Sequence, residues 1–69
     1  MKKFDAQLFA DRLQLKQRAM YLSVGDAAKE IGIHKSILSR LNRMKFTHDV
    51  YTYYVCCKWL EVEMQFFFK

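Results

Sequence analysis

The sequence predicts an all-helical fold, and three observations support this prediction. Proline is absent from the 69 residues, and glycine occurs only at Gly25 and Gly32, so hairpin turns lack the residues on which they depend. Apolar residues recur at intervals of three and four, which places them on one face of a helix. The length fits one domain with a small core. We therefore expect a compact, five-helix, single domain spanning residues 1–69.

The first helix is expected from about Asp5 to Ala19. Its apolar face is ragged and consists of Leu8, Phe9, Leu13 and Leu15. Its polar face carries Arg12, Lys16 and Arg18.

The segment from Ser23 to Asn42 predicts two short helices joined by a tight turn. Ser23 can cap the first of them, with Asp26 three residues later as a carboxylate variant of the capping box. Gly32 can adopt the left-handed conformation that a sharp helix exit needs. The second helix begins near His34. The small side chain of Ala28 allows the two helices to cross closely, as in a helix-turn-helix.

A fourth helix is expected to begin at Thr47 or Asp49, after a short basic loop, and to end near Leu60. A last short helix is expected around residues 63–68. The predicted inward face of the fourth helix consists of Val50, Tyr53, Cys57 and Leu60. A second apolar stripe, at intervals of four, consists of Tyr51, Val55 and Trp59.

The C-terminal third has more apolar surface than a small core requires. We expect a homodimer contact there, or insertion of the aromatic rings beneath the two-helix segment; closure of one monomer core is the competing interpretation. A membrane-surface helix is disfavoured because the segment has no cationic face. The residues assigned to the dimer interface are Tyr51, Val55, Trp59, Phe66, Phe67 and Phe68.

Positive charge is concentrated in the first two thirds of the chain. The net charge is +5, and residues 29–45 carry five cations against one anion, whereas residues 46–69 carry two against three. This division favours a polyanionic partner on one face and a protein partner on another.

The third helix would present four side chains to a DNA major groove: Lys35, Ser36, Ser39 and Arg40. Arg40 can bond guanine in a bidentate manner, and Lys35 can reach guanine or a phosphate. Ile37 lies between the buried and exposed faces, so it could contact either a thymine methyl group or the fourth helix. Contacts with the backbone phosphates of DNA are assigned to five residues, Ser23, Lys29, His34, Arg43 and Lys45, with His48 as a further candidate.

Other classes of function are disfavoured by the sequence. The adjacent Cys56 and Cys57 point about 100° apart on a helix and are expected to be buried free thiols, with an intermolecular disulfide as the alternative. His34 and His48 lack the neighbours of a metal site. No nucleophile with a base, carboxylate pair or phosphate loop is evident, so neither an enzyme nor a cofactor is expected. The absence of a signal peptide or apolar span predicts a cytoplasmic location.

These residues give the chain a resemblance to the phage Cro and CI repressor family of DNA-binding proteins. The resemblance covers roughly residues 9–67 and is carried by the pattern of Ala28, Gly32, Leu38 and Leu41, together with the cluster Cys57, Trp59 and Leu60. It implies a five-helix, lambda repressor-like domain in which Lys35, Ser36 and Arg40 occupy base-contacting positions.

Two positions depart from the family pattern. Val24 stands where members usually have a phosphate-binding glutamine, which suggests Ser23, Lys29 or Lys16 as substitutes. His34 stands where members usually have serine or threonine.

The sequence thus predicts a sequence-specific, double-stranded DNA-binding transcriptional repressor of a phage or mobile element. It would occupy an inverted-repeat operator as a homodimer, with no small-molecule ligand. The alternative is a protein-interaction module, or an antitoxin-like adaptor, that works through the aromatic C-terminal third and binds DNA without sequence preference.

Overall fold

The computed structural model describes residues 3–45 and 49–69. Four α-helices lie within these residues: α1 (Ala6–Ala19), α2 (Val24–Ile31), α3 (Lys35–Asn42) and α4 (Val50–Leu60). A short 3₁₀ helix follows at Met64–Phe67, where the sequence predicted a fifth helix. The all-helical prediction is confirmed, and the last element is a single 3₁₀ turn. No helix within the described residues is long and apolar enough to cross a membrane.

Each α-helix begins with a side chain that accepts a hydrogen bond from a free backbone amide. Ser23 Oγ accepts from the amide of Asp26 at 3.1 Å, as the sequence predicted. Asp49 Oδ1 accepts from the amide of Tyr51 at 3.0 Å, which makes Asp49 the N-cap residue of α4. Thr47, the other candidate, lies outside the described residues.

The two aspartate caps have pKa values below the ordinary aspartate value. For Asp5, the main cause is the hydrogen bond from the amide of Leu8, and Lys69 adds to the effect. For Asp49, the main cause is the hydroxyl of Thr52, which donates to Oδ2 at 2.7 Å. Both carboxylates are therefore held in the charged form.

All four α-helices end in the same way. One residue adopts the left-handed conformation, and the amide of the next residue donates to a carbonyl five positions earlier, as in a Schellman motif. Gly32 (φ 95°) serves this role after α2, as expected. In the other three helices the left-handed residue is not glycine: Tyr21 (φ 54°), Met44 (φ 61°) and Glu61 (φ 60°). The closing bonds are Leu22 to Gln17, Ile33 to Ala28, Lys45 to Arg40 and Val62 to Cys57, at 2.9 to 3.1 Å.

The hydrophobic core lies where the four helices and the 3₁₀ helix meet. Ala27 and Ala28 are both buried, which allows α3 to pack closely against α2. The apolar side chains at the centre of the core are Phe9, Leu13, Leu38, Leu41, Cys56, Cys57 and Phe67.

The inward face of α4 differs from the prediction. Val50 is 70% exposed and Thr52 is buried, so the helix is rotated about its axis relative to the expected orientation. Thr52 is tolerated inside because its hydroxyl is bonded to Asp49. Tyr53 and Cys57 lie on or beside the core, as predicted.

The two ends of the described chain pair with each other. The amide of Lys3 donates to the carbonyl of Lys69 at 2.6 Å, and the amide of Lys69 returns a bond to Lys3 at 2.8 Å. An isolated antiparallel bridge joins Phe4 and Phe68. The sequence did not predict this pairing, which holds the 3₁₀ helix against the core.

The pairing corrects the assignment of Phe67 to a dimer interface. Its ring is fully buried, 5.1 Å from the ring of Phe9 in an edge-on arrangement, and therefore belongs to the monomer core. Phe68 is partly exposed and lies 5.4 Å from Phe4, and Phe66 lies beneath the guanidinium group of Arg12 at 5.3 Å.

The second apolar stripe of α4 is also largely used within the monomer. Val55 and Trp59 are half-buried and pack against the core, whereas Tyr51 is 63% exposed. Val55 and Trp59, which the sequence assigned to a dimer interface, therefore contribute to the monomer core, the competing interpretation.

Candidate nucleic-acid interface

Helix α3 has a buried face and an exposed face. Leu38 and Leu41 are buried, whereas Lys35, Ser36 and Arg40 are exposed. Residues 36 and 40 are one helical turn apart, so their side chains lie on the same side of the helix. The side chains assigned to base reading are thus available on one surface, except that Ser39 is half-buried.

Ile37 is half-buried and packs against the hydrophobic core. Of the two alternatives left by the sequence, an interior contact is therefore present in the folded chain. A contact with a thymine methyl group would use only the part of the side chain that stays accessible.

His34 caps the N-terminus of α3 through its ring. Nδ1 accepts a hydrogen bond from the amide of Ser36 at 3.1 Å and lies 2.8 Å from Ser36 Oγ. A histidine is thus used where serine, threonine or aspartate is the usual cap. The sequence identified His34 as the start of the helix, but its contact with the Ser36 hydroxyl was not foreseen.

Arg43 folds back onto α3. Its Nη2 donates to Ser39 Oγ at 3.1 Å, and its Nε donates to the Ser39 carbonyl at 3.4 Å. The guanidinium group therefore lies beside Ser39 on the surface of α3.

A polar network, which sequence reasoning missed, fixes the far end of α3 to α1. The buried amide of Gln17 donates to the side chain of Asn42 at 3.2 Å and to the carbonyl of Leu13 at 3.1 Å. Gln14 donates to the carbonyl of Asn42 at 3.0 Å. The available signal was the position of Gln17, one turn after Leu13 on the inner face of α1.

An open cleft of about 480 Å³ lies between α1, the start of α2 and the end of α3. It brings together two residues assigned to phosphate binding, Ser23 and Arg43, and adds Arg18, which the sequence placed only on the polar face of α1. Val24 lines the same cleft. The cationic side chains and the N-terminus of α2 make this cleft suited to an anionic group.

The remaining phosphate candidates differ in their surroundings. Lys29 and Lys45 are exposed and do not line the cleft. Lys16 donates a hydrogen bond to the carbonyl of Trp59 and is half-buried, which corrects its assignment as a substitute phosphate clamp. His48 lies outside the described residues.

The two cysteines are buried free thiols, as expected. Burial raises the pKa of Cys56 to about 12 and also raises the pKa of Cys57. Both are therefore held as unreactive thiols near neutral pH. Within the described residues, no group of three or more His, Cys, Asp or Glu side chains is arranged to hold a metal ion.

Comparison with known proteins gave no match to a family model, a curated protein or a solved structure.

Proposed function

We propose that this protein is a sequence-specific regulator of transcription that binds double-stranded DNA through a helix-turn-helix formed by α2 and α3. In this proposal α3 is the recognition helix and enters the major groove. The observation that carries it is the exposed row of Lys35, Ser36 and Arg40 on a helix whose opposite face is buried. These side chains can bond base edges in the major groove.

The rigidity of α3 supports this role. Its N-terminus is capped by His34, and its C-terminus is held by Gln14 and Gln17 through Asn42. A side chain that reads a base must be held in position by its surroundings, because a small displacement removes its directional hydrogen bonds. Both ends of the recognition helix meet this requirement.

Phosphate contacts would come from the cleft beside α3. Arg18, Ser23 and Arg43 lie along it, and Lys29 and Lys45 add exposed positive charge nearby in the chain. Contacts of this kind position the protein on the duplex and make its affinity dependent on salt. Val24 cannot make the phosphate contact of the glutamine that is usual at this position in Cro and CI repressors. In this proposal Arg18 and Arg43 contact phosphates in its place.

We propose a homodimer that acts by occupying an inverted-repeat operator, as in a phage or mobile-element repressor. Exposed apolar side chains on α4 form a stripe that consists of Val50, Tyr51 and Tyr54, and this stripe replaces the dimer surface predicted from the sequence. Two recognition helices related by a twofold axis would read half-sites about 10 base pairs apart, centre to centre.

The test is selection of retained duplexes from a random pool at about physiological salt. An enriched inverted repeat would support the dimeric regulator, and one enriched half-site would support a monomeric reader. Retention without any enriched sequence would overturn sequence-specific recognition.

The alternative function, a protein-interaction module, is favoured by one observation. An apolar groove of about 660 Å³ lies beside the start of α4 and is lined by residues that include Phe4, Leu41, Val50, Tyr53 and Phe68. A monomer in solution that enriches no DNA sequence would favour this alternative. The resemblance to Cro and CI repressors and the row of polar side chains on α3 favour the regulator.

A further inference from the structure

The contact between His34 and Ser36 fixes the direction in which the Ser36 hydroxyl can hydrogen-bond. We infer that His34 makes Ser36 a hydrogen-bond acceptor toward DNA, so that Ser36 selects a base with an amino group at that position of the groove. Adenine offers such a group at N6 and cytosine at N4. The inference rests on the proposed DNA-binding function and assigns to His34 a positioning role in specificity.

The backbone determines which His34 nitrogen carries a hydrogen. The amide of Ser36 can only donate, and it lies 3.1 Å from Nδ1 of His34. Nδ1 must therefore offer its lone pair, and the hydrogen of the neutral ring is on Nε2.

The Ser36 hydroxyl then has one way to bond the same ring. Oγ lies 2.8 Å from Nδ1, which holds no hydrogen, so Oγ can bond this nitrogen only by donating its hydrogen, and the single Nδ1 lone pair is shared between the amide and the hydroxyl of Ser36. The two lone pairs of Oγ remain available on the exposed side of α3. A serine without this neighbour could rotate its hydroxyl to suit either a donor or an acceptor on a base.

The neighbouring Ser39 is engaged differently. Its Oγ accepts a hydrogen bond from Arg43 at 3.1 Å, so its own hydrogen and one lone pair are not used in that bond. The two serines of α3 are thus chemically alike but are not interchangeable, because different side chains engage them.

The test compares base preference in variants of His34. Selection with the wild-type protein first gives the operator, and the Ser36→Ala variant identifies the base pair whose preference depends on that hydroxyl. Four duplexes that differ only at this pair are then compared by competition. Every base pair carries one such amino group, on adenine or on cytosine, so the expectation concerns its position. The wild-type protein should prefer the pair that puts the amino group within reach of Ser36 over the same pair with its strands exchanged by about fivefold, the effect of one neutral hydrogen bond.

Two substitutions of His34 separate its effect on the direction of the Ser36 hydroxyl from its role as the cap of α3. In His34→Asn, the side-chain oxygen can replace Nδ1 as an acceptor, so the preference should stay near fivefold. In His34→Ser, the new hydroxyl can still cap the helix but can also donate to Ser36, so the preference should fall to about twofold or less. The preference at the base pair read by Arg40 should not change in either variant, which serves as the internal control.

The outcomes show separately whether the proposed DNA-binding function fails and whether the role of Ser36 as an acceptor fails. If the wild-type protein enriches no sequence, the proposed function fails and the inference fails with it. The inference alone is overturned if the wild type selects an operator and His34→Ser keeps the full preference at the Ser36 base pair. The inference is also overturned if the amino group of the preferred pair can be removed, with purine in place of adenine or pyrimidin-2-one in place of cytosine, without loss of wild-type affinity.

Discussion

The ammonium group of Lys16 lies 4.7 Å from the centre of the Trp59 ring and donates a hydrogen bond to the Trp59 backbone carbonyl. The indole nitrogen of Trp59 in turn donates to Glu30 Oε1 at 3.1 Å. A side chain from each of α1, α2 and α4 therefore meets at one point. Lys16 also satisfies a carbonyl near the C-terminus of α4, where positive charge is favourable.

We expect Lys16→Ala to lower the free energy of unfolding by about 1 to 2 kcal/mol, because it removes a cation–π contact and a backbone hydrogen bond. Lys29→Ala is the matched control, since Lys29 is exposed on α2. That variant should unfold like the wild type but bind DNA more weakly. Urea unfolding and DNA titration of both variants check the prediction, which fails if Lys16→Ala loses DNA affinity while its stability is unchanged.

A second prediction concerns Tyr21, the residue with left-handed backbone conformation that follows α1. Tyr21 has φ 54° and is 96% exposed, so its side chain gains little from packing while its backbone conformation is unfavourable. Tyr21→Gly should raise the free energy of unfolding by about 1 kcal/mol, or the melting temperature by about 4 to 8 °C.

Met20→Gly is the control for this change. Met20 is also partly exposed and immediately precedes Tyr21, but its φ is −97°. Glycine should therefore destabilise the protein at position 20 through the greater entropy of the unfolded chain. Equal destabilisation by both substitutions would contradict the proposed strain at Tyr21.

The local features of the fold were predictable from the sequence. Ser23 and Gly32 are residues whose chemistry suits one position of a helix, and both occupy that position. The buried face of α3 follows from the spacing of Leu38 and Leu41. Three helix ends were not predictable in the same way, because Tyr21, Met44 and Glu61 do not favour a left-handed conformation.

The errors arose where distant parts of the chain meet. The burial of Phe67 depends on pairing between residues 3–5 and 67–69, and no periodicity in the sequence encodes that pairing. The orientation of α4 depends on whether Val50 or Thr52 is inside. Hydropathy favours valine, but Asp49 satisfies the hydroxyl of Thr52 and removes the cost of burying it. For the candidate site, the sequence identified the exposed residues of α3 but not the network of Gln14, Gln17 and Asn42 that holds them.

Arg40 and Lys45 should affect DNA binding in different ways. Arg40→Ala should cost about 1 to 3 kcal/mol at one base pair, because arginine can bond guanine through two hydrogen bonds. Lys45→Ala should weaken binding to all sequences alike and reduce the dependence of affinity on salt. Titrations with operator and scrambled duplexes at several salt concentrations measure both effects. Equal loss of specific and non-specific binding in Arg40→Ala would overturn its role as a base-reading residue.

Because the thiols of Cys56 and Cys57 are buried, we expect the protein to lose stability at alkaline pH. Burial raises the pKa of Cys56 from an ordinary value of 9.0 to about 12 in the folded protein, whereas the unfolded chain ionises near the ordinary value. The unfolded state therefore loses its proton first as the pH rises, and the free energy of unfolding should fall progressively from about pH 9 toward pH 12. The raised pKa values of Cys57 and Tyr53 act in the same direction.

Urea unfolding at several pH values between 8 and 11 measures this effect, with Cys56→Ala as the comparison. The variant should be less stable at pH 8, because a buried side chain is shortened, but its stability should decline less steeply with pH. Parallel declines in the two proteins would show that Cys56 does not contribute to the alkaline transition.

The proposed dimer surface on α4 makes the last prediction. Val50, Tyr51 and Tyr54 are exposed on one side of this helix, and Tyr51 lies outside the monomer core. Tyr51→Lys would place two positive charges near the twofold axis of the dimer, so it should shift the protein to a monomer while leaving its helical content unchanged.

Tyr21→Lys is the control, because Tyr21 is a more exposed tyrosine on the connection between α1 and α2. Sedimentation equilibrium should give a dimer for the wild type and for Tyr21→Lys, and a monomer for Tyr51→Lys. If Tyr51→Lys remains a dimer, the contact between subunits lies elsewhere. If the wild type is a monomer that still selects one half-site, α3 reads DNA without a partner.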